Sequence, residues 1–359
     1  MDRAPAISVI MPVYNGAALL PATLDSLWAQ TFGDFELVVV DDGSTDGTRE
    51  LLSAQTDPRV RAIFAETNGG PVIARNRAVA AARGRYIAAL DADDLCLPTR
   101  FEKQVALLDA RPDVAMAASA IERLMLGRLH PSSVPAVTTP GFIDWLLRFT
   151  NPIAWSTVMI RAEAARNLDP FMRPERLYAE DFDFHHRIRA HGRIARIDEV
   201  LLHYRHDPGS ISRTHRDTVG VQSRAVLAEV NAGLWDAADA AAVARHVMLQ
   251  DPVTDAETLT RVVKAIARLP LPEDAESRAL AVAHRATMWR KTARAGVRSG
   301  TVPLAAALAL RPVDAAKPRP VTLAEWAAVG MMRLAANRRG DLAYRLQRVA
   351  PAVAACAVL

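Results

Sequence analysis

Arg85-Tyr86-Ile87-Ala88-Ala89-Leu90-Asp91-Ala92-Asp93-Asp94 is the stretch on which the fold turns. A short apolar run that reads as a buried strand stops abruptly in closely spaced carboxylates. Such a run suits a parallel strand covered on both faces. Charges cannot follow it into the core, so the acids fall at the carboxyl end of the strand, where open α/β sheets hold their ligands. Asp91 and Asp93 stand two apart and can converge on one hard cation. Oxygen donors of this kind suit Mg2+ or Mn2+, which then neutralises a phosphate. An acidic loop capping a helix that starts near Pro98 is the other use the same residues could have.

Upstream, strand and helix alternate. Ile7–Met11 is a β-branched apolar run, followed by a Tyr14-Asn15-Gly16 turn and a helix with Leu20, Leu24 and Leu27 on one face. Phe35–Val40 reads as a second strand ending in Asp41-Asp42-Gly43-Ser44-Thr45-Asp46, and Val60–Ala65 as a third. Asn68-Gly69-Gly70 leads into a helix over Val72–Ala82; Tyr86–Leu90 is the fourth strand and Val114–Ala118 a fifth. Short turns between alternating elements imply right-handed βαβ crossovers and a mostly parallel sheet. The polar clusters after Met11, Val40 and Leu90 then share one sheet edge, where a nucleotide would lie.

After Leu126 the alternation breaks. Pro131, Pro135 and Pro140 mark an irregular segment, followed by apolar Phe142–Phe149 and a strand at Thr157–Ile160. Glu180-Asp181 opens a helix reaching about His191, and two further strands are predicted at Ile194–Ile197 and Leu201–Tyr204. Beyond Gly220 the chain is Ala-rich and reads as helices. These features predict two parts, 1–215 as an α/β domain and 216–359 as a helical, basic region.

Composition bounds the function. With 359 residues, half of them apolar and 23% charged, the chain is an ordinary globular protein of more than one typical domain. Cys96 and Cys356 are too few for a disulfide framework or a four-ligand zinc site, and they fit a reducing compartment. Met1–Ile10 has no apolar core of signal-peptide length, and the longest apolar stretches, Val302–Leu310 and Ala350–Leu359, are about half a membrane span. The expectation is a cytoplasmic protein, with any membrane contact peripheral at the inner face.

The basic excess is local: residues 220–359 hold 19 Lys and Arg against 12 Asp and Glu. Between Arg285 and Arg348 there are 13 basic residues against Asp314, Glu325 and Asp341. Val282, Trp289, Ala293 and Val297 recur at helical spacing beside Arg290, Arg294 and Arg298. Leu342, Leu346 and Val349 form a second apolar face near Arg338, Arg339, Arg345 and Arg348. This is either a helical subdomain with its basic side in water or a surface for an anionic inner leaflet. Nucleic acid is not expected, because no aromatic stacking platform accompanies the charge.

Four patterns stand together in order: Met11-Pro12-Val13-Tyr14-Asn15; Val40-Asp41-Asp42-Gly43-Ser44-Thr45-Asp46; Asn68-Gly69-Gly70 with Ala74-Arg75-Asn76; and Leu90-Asp91-Ala92-Asp93-Asp94. The set resembles the GT-A glycosyltransferases of family 2, and Glu180-Asp181 with Tyr204-Arg205 and Ser210-Ile211-Ser212 extends the match to roughly residues 5–215. The resemblance implies a GT-A (Rossmann-like) α/β sheet flanked by helices, with an α-helical C-terminal extension outside it. It further implies an inverting, metal-dependent transferase that takes a nucleotide-sugar donor, UDP favoured, and a saccharide or lipid-linked acceptor in polysaccharide or glycoconjugate synthesis.

Residue by residue, the resemblance gives Pro12, Tyr14, Asp41 and Asp42 to the nucleotide base, with Asp42 favoured as acceptor for a pyrimidine imide N–H. Arg75 lies near the nucleotide. Asp91 reaches the ribose or the metal, Asp93 binds the Mg2+ or Mn2+ that bridges the diphosphate, and Asp94 is a bystander or cap. Asp181 is the catalytic base, with Glu180 as its neighbour: a carboxylate facing the attacking hydroxyl can take its proton as displacement proceeds. One departure stands out. Where family members often carry a histidine two residues after the Tyr-Arg pair, this chain has Asp207, leaving His203, His206 and Asp207 as alternatives for a third ligand.

Two other classes compete. A nucleotide-sugar-binding module without turnover would be free to lose Asp91, Asp93 and Asp181, which are all present. A sugar nucleotidyltransferase wants a Gly-rich, Arg-containing loop after strand one, where this chain has Pro12-Val13-Tyr14-Asn15-Gly16; no G-x-G-x-x-G follows that strand either.

Overall fold

The computed structural model describes residues 3–132, 134–206 and 214–313, with Trp326 and Ala328. By contact density the chain forms two compact units, Met1–Asn231 with Pro272–Arg278, and Ala232–Leu271 with Ala279–Leu359.

The first unit begins β1 (Ile7–Val13), α1 (Leu20–Trp28), β2 (Phe35–Asp41), α2 (Thr48–Ser53), β3 (Val60–Phe64), α3 (Pro71–Ala81) and β4 (Tyr86–Ala89). Next come β5 (Leu95–Cys96), α4 (Arg100–Ala110), β6 (Val114–Met125), β7 (Arg128–Pro131), α5 (Pro140–Leu147) and β8 (Met159–Arg161). It closes with α6 (Ala162–Arg166), α7 (Glu180–Ile188), β9 (Arg193–Arg205) and α8 (Arg216–Val230). The sheet runs β3-β2-β1-β4-β8-β6-β9-β5, with β7 paired to β6. Its first four strands are parallel, as the strand–helix alternation predicts, and β8 enters antiparallel between β4 and β6.

β2 is buried along its whole length and β1 along nearly all of it, which is why their sequences show no polar alternation. Leu20, Leu24 and Leu27 of α1 pack on one face with Val9, Met11, Leu37 and Phe101. From β1 the chain builds outward through β2 and β3, then returns to β4 on the other side of β1. That reversal makes a topological switch point at the carboxyl ends of β1 and β4, the crevice where such sheets bind ligands. Pro12–Gly16 and Asp91–Asp94 lie there.

Arg100 ties this edge together from inside. It is fully buried, donating from Nη2 to the carbonyls of Ala89 (2.9 Å) and Val158 (3.2 Å) and from Nε to Gln104 Oε1 (3.0 Å). Gln104 in turn donates to Thr157 O at 2.7 Å. The Arg100→Met variant would take the guanidinium donor from Ala89 O, two residues before Asp91, and from Gln104 Oε1, while Val158 O keeps the Ala89 N–H at 2.9 Å. We expect a loss of roughly 3 kcal/mol in urea unfolding, since each unpaired buried polar group costs about 1–3 kcal/mol. An unchanged midpoint would mean water replaces the guanidinium.

The structure departs from the sequence reading in the second half of the sheet. β6 runs on to Met125 and turns through Leu126 (φ 50°) and Gly127 (φ 73°) into β7. Left-handed conformation at both central residues is the tight hairpin geometry usually signalled by Asn-Gly or Asp-Gly. Here an exposed leucine takes the first position, so the hairpin was not visible. The two strands predicted at Ile194–Ile197 and Leu201–Tyr204 are one, β9. Register shifts against β6 at Ser119/Ala120 and Ala120/Ile121 interrupt its alternation around exposed Asp198-Glu199.

The second unit contains α9 (Ala237–Val243), α10 (Ala256–Ala267), most of α11 (Ala275–Ser299) and α12 (Leu304–Ala309), and no strand among its described residues. α9 starts on a capping box: Asp236 accepts from Asp239 N–H and Asp239 from Asp236 N–H. Trp289, Ala293 and Val297 of α11 are buried with Val253, Leu259 and Val302, as the helical spacing predicts, while Arg290 and Arg294 are exposed. No described helix is long and apolar enough to cross a membrane. The Leu342–Val349 face and Cys356 lie outside the described residues, as do Asp207 and Ser210-Ile211-Ser212.

Candidate active site

The turn after β1 and the loop after β2 are laced into one platform. Asn15 N–H donates to Ser44 Oγ (2.9 Å), Gly16 N–H to Thr48 Oγ1 (2.9 Å) and Ala17 N–H to Asp46 Oδ2 (3.0 Å). Asn15 Oδ1 accepts from Thr45 N–H at 2.8 Å. Asn15 itself takes φ 52°, a conformation asparagine tolerates better than most residues. Pro12 sits partly buried at the end of β1, and Tyr14 is half exposed.

The Asp41-Asp42 pair splits its work. Asp42 Oδ2 accepts from Gly70 N–H at 2.7 Å, and both its oxygens lie near 3 Å from Gly69 N–H. Asp42 therefore holds the glycine loop that opens α3. The backbones approach closely: a Cβ on Gly43 would meet Thr67 C at 2.9 Å, and Gly43 also needs φ +76°. Asp41 is buried, with Oδ1 accepting from Ser44 N–H (3.2 Å) and Oδ2 lacking a protein partner.

α3, opened by Pro71 behind this loop, carries Arg75 into the centre of the site. Arg75 is buried and forked. Nη2 donates to Asp91 Oδ1 at 2.9 Å and Nη1 to Glu180 Oε1 at 2.7 Å, while its guanidinium lies 5.5 Å from the Trp155 ring centroid. Burial works against its charge, but Asp91 and Glu180 outweigh that and raise its pKa. One arginine thus joins the acidic turn after β4 to the start of α7. Arg75 Nε and Glu180 Oε2 are buried without hydrogen-bond partners.

In the acidic turn, Asp93 is exposed and Asp91 partly so. Asp91 N–H donates to Ser156 Oγ at 3.0 Å. Asp94 is buried: its Oδ1 accepts from Arg205 N–H at 2.8 Å, and Arg205 Nε donates to Asp93 O at 2.8 Å. Burial, then the charges of Asp93 and Asp91, push the Asp94 carboxyl well above the usual range. Asp94 is thus the strap between this turn and the end of β9. Tyr204 on the same strand has its phenol raised by burial and by Asp94, Asp91 and Asp93.

Asp181 stands in the first turn of α7. Its Oδ1 accepts from Phe182 N–H at 2.7 Å and its Oδ2 from Asn151 Nδ2 at 2.8 Å. Burial and the adjacent Glu180 raise its pKa to about 7, against the pull of the Phe182 N–H, Arg75 and Asn151. A carboxylate poised near neutrality has the proton affinity wanted of a general base.

For a divalent cation, Asp91 and Asp93 would supply hard oxygens of the kind Mg2+ and Mn2+ prefer, with water and a ligand's oxygens completing such a set. Asp91 Oδ1 is held by Arg75, so its second oxygen would be the one to serve a cation together with Asp93. Among the described residues no group of three or more His, Cys, Asp or Glu is arranged to hold a metal. His203 Nε2 faces Glu122 Oε2 at 3.7 Å, and His206 donates its backbone N–H to Leu124 O at 3.0 Å. The two-carboxylate set fits a cation completed by its ligand.

The profile described as Glycosyl transferase family 2 matches residues 8–168. The chain is 31% identical over 219 residues to the putative glycosyltransferase EpsE of Bacillus subtilis (strain 168), covering 59% of this chain and 77% of that one. The chain belongs to glycosyl transferase family 2. The family match takes in β1 to β8 and hence the Asp41-Asp42 and Asp91–Asp94 loops; Asp181 lies beyond it. The succinoglycan biosynthesis protein ExoO of Rhizobium meliloti (strain 1021) is 36% identical over 155 residues, which span 40% of this chain but only 43% of ExoO.

Solved structures share the GT-A-like fold. S. aureus TarS 1-349 in complex with UDP-GlcNAc superposes with a TM-score of 0.53 at 20% identity, over 93% of this chain and 92% of that one. Mannosyltransferase PcManGT from Pyrobaculum calidifontis, in complex with GDP-Man and Mn2+, gives 0.50 at 20% identity, over 94% and 87%.

The structure gathers Arg75, Asp91 and Glu180-Asp181 directly, with Asp93 in the same turn as Asp91. Pro12, Tyr14, Asp41 and Asp42 belong to the neighbouring loops of the same edge. Asn151, Ser156 and His185 were missed from sequence. The one available signal was His185, four residues after Asp181 and so on the same helical face.

Proposed function

We propose that this family 2 glycosyltransferase moves a sugar from a nucleoside-diphosphate sugar to a saccharide or lipid-linked acceptor, with inversion at the anomeric carbon and dependence on Mg2+ or Mn2+. The observation that carries this reading is Arg75, which brings a carboxylate of the acidic turn and the start of the Asp181 helix onto one guanidinium. The donor diphosphate belongs beside Asp91 and Asp93, and its base on the Pro12–Tyr14 and Asp41-Asp42 platform. Asp181 accepts the proton of the attacking hydroxyl. The divalent ion, when bound, supplies charge neutralisation to the departing nucleoside diphosphate.

UDP is the favoured nucleotide, in line with the UDP-GlcNAc complex of TarS, although the Mn2+-bearing neighbour holds GDP-Man. Surface polysaccharide or glycoconjugate synthesis in the cytoplasm is the favoured setting, as the name of ExoO suggests for that relative. A screen of UDP-, GDP- and dTDP-sugars for donor hydrolysis with Mn2+ or Mg2+ tests the reading. Tight donor binding with no turnover in the presence of any acceptor would instead favour a non-catalytic nucleotide-sugar module.

Contact with an anionic inner leaflet is proposed for the exposed basic stripe of α11. In flotation with vesicles containing phosphatidylglycerol at low salt, the chain should rise with the lipid, and Arg290→Glu with Arg294→Glu should cut the bound fraction several-fold. Absence of binding, or indifference to the double change, would leave this stripe as a solvated face.

A further inference from the structure

Asn151 lies in the loop after α5, before Pro152, and its amide is fixed from two sides. Ile153 N–H donates to Asn151 Oδ1 at 3.3 Å, and His185 Nδ1 lies 3.1 Å from the same oxygen. A backbone N–H can only donate, so Oδ1 must face this side and Nδ2 must face Asp181. His185 is buried, one turn after Asp181 on α7, with its ring tilted 34° to Trp155 at 6.4 Å. Burial and the neighbouring His186 lower its pKa to about 3, so the imidazole is neutral. A neutral ring carries one N–H, and the Asn151 oxygen places it on Nδ1. Nε2 is buried without a hydrogen-bond partner, which suits an unprotonated nitrogen.

We propose that Asn151, locked by His185 and the Ile153 N–H, is a positioning residue that aims the Asp181 carboxylate and stabilises its ionised form. This rests on the reading of Asp181 as the base. Each Asp181 oxygen has one protein donor, Phe182 N–H on Oδ1 and Asn151 Nδ2 on Oδ2, and so retains lone-pair capacity for an incoming hydroxyl. An amide does this without a charge. A cation in the same place would hold the carboxyl low and weaken it as a base. The charged and titratable groups facing Asp181 are Glu180 beside it, Arg75 from α3 and Tyr204 from β9; all remain in an Asn151 variant.

The test is a titration of Asp181 in the full chain by carboxyl-carbon NMR, with Asp181→Asn used to assign the resonance. The wild-type midpoint should lie near neutrality. Asn151→Leu should move it upward by about one pH unit, as expected for losing a hydrogen bond to a charged group. His185→Phe should move it the same way by less. If Asn151→Leu misfolds by circular dichroism, Asn151→Ser, which shortens the donor, serves the same comparison. The acidic limb of UDP-GlcNAc hydrolysis should follow the NMR shift. An unmoved midpoint overturns the positioning role even if activity drops, since a purely structural defect would lower the rate at every pH. Full turnover in Asp181→Asn instead sinks the base reading itself, whatever the titration shows.

Discussion

Asp181→Asn is expected to reduce sugar transfer by roughly 10²-fold or more, the usual contribution of a positioned general base. The change keeps shape and the hydrogen bond from Phe182 N–H but removes the site for the acceptor's proton. Donor affinity by calorimetry should stay near that of the wild type, because the donor contacts proposed here lie on other elements. The wild-type rate should fall about tenfold per pH unit below the Asp181 pKa, raised to about 7, whereas the variant's residual rate should be flat across that range. Stability gives an independent check. The folded pKa lies above its unfolded value, so this group's contribution is full at acid pH and is lost as pH rises through about 7. The variant's amide cannot accept from both Phe182 N–H and Asn151 Nδ2, but it carries no buried charge, so its stability relative to wild type should improve as pH rises through about 7. Parallel loss of donor binding and activity would mark Asp181 as structural, and retention of anomeric configuration in the product would contradict direct displacement.

The parallel half of the sheet, β1 to β4, was legible because its signals are local. Ile7–Met11 and Phe35–Val40 are continuous apolar runs with turn residues at their ends, and buried parallel strands leave that trace. The Asp91–Asp94 cluster was legible for the converse reason, since charges must lie where the strand leaves the core. What stayed hidden depends on contacts distant in sequence. Asp42 reads as a free acceptor until Gly69 and Gly70 are folded against it. Asp94 reads as a cap, yet its partner is Arg205, 111 residues on. Arg75 has no local signal beyond the resemblance; two carboxylates 16 and 105 residues away give it its place. Asn151 had no signal, because an asparagine before a proline is ordinary loop chemistry. The β6–β7 hairpin failed for a different reason, a leucine where turn chemistry expects asparagine.

Asp93→Ala is expected to abolish transfer and to remove the effect of Mn2+ or Mg2+ on UDP binding. Among the carboxylates of the turn, Asp91 is tied to Arg75 and Asp94 to Arg205 N–H. Asp93 is the exposed one, so its removal takes away a carboxylate donor while leaving those straps in place. The fold should survive: an exposed side chain contributes little to stability, and thermal unfolding should stay within about 0.5 kcal/mol of wild type. The discriminating measurement is calorimetric UDP binding with and without Mn2+, on wild type and variant. Wild type should bind more tightly with the ion, and the variant should give the same weak binding in both conditions. Asp91→Asn should behave differently, because it also removes an anionic partner of Arg75; the buried guanidinium then keeps its ion pair with Glu180 and the neighbouring Asp181, and a loss of stability should accompany the loss of activity. Full activity of Asp93→Ala, or of wild type in excess EDTA, would eliminate the metal and leave Arg75 as the group that must balance the charge of the leaving diphosphate.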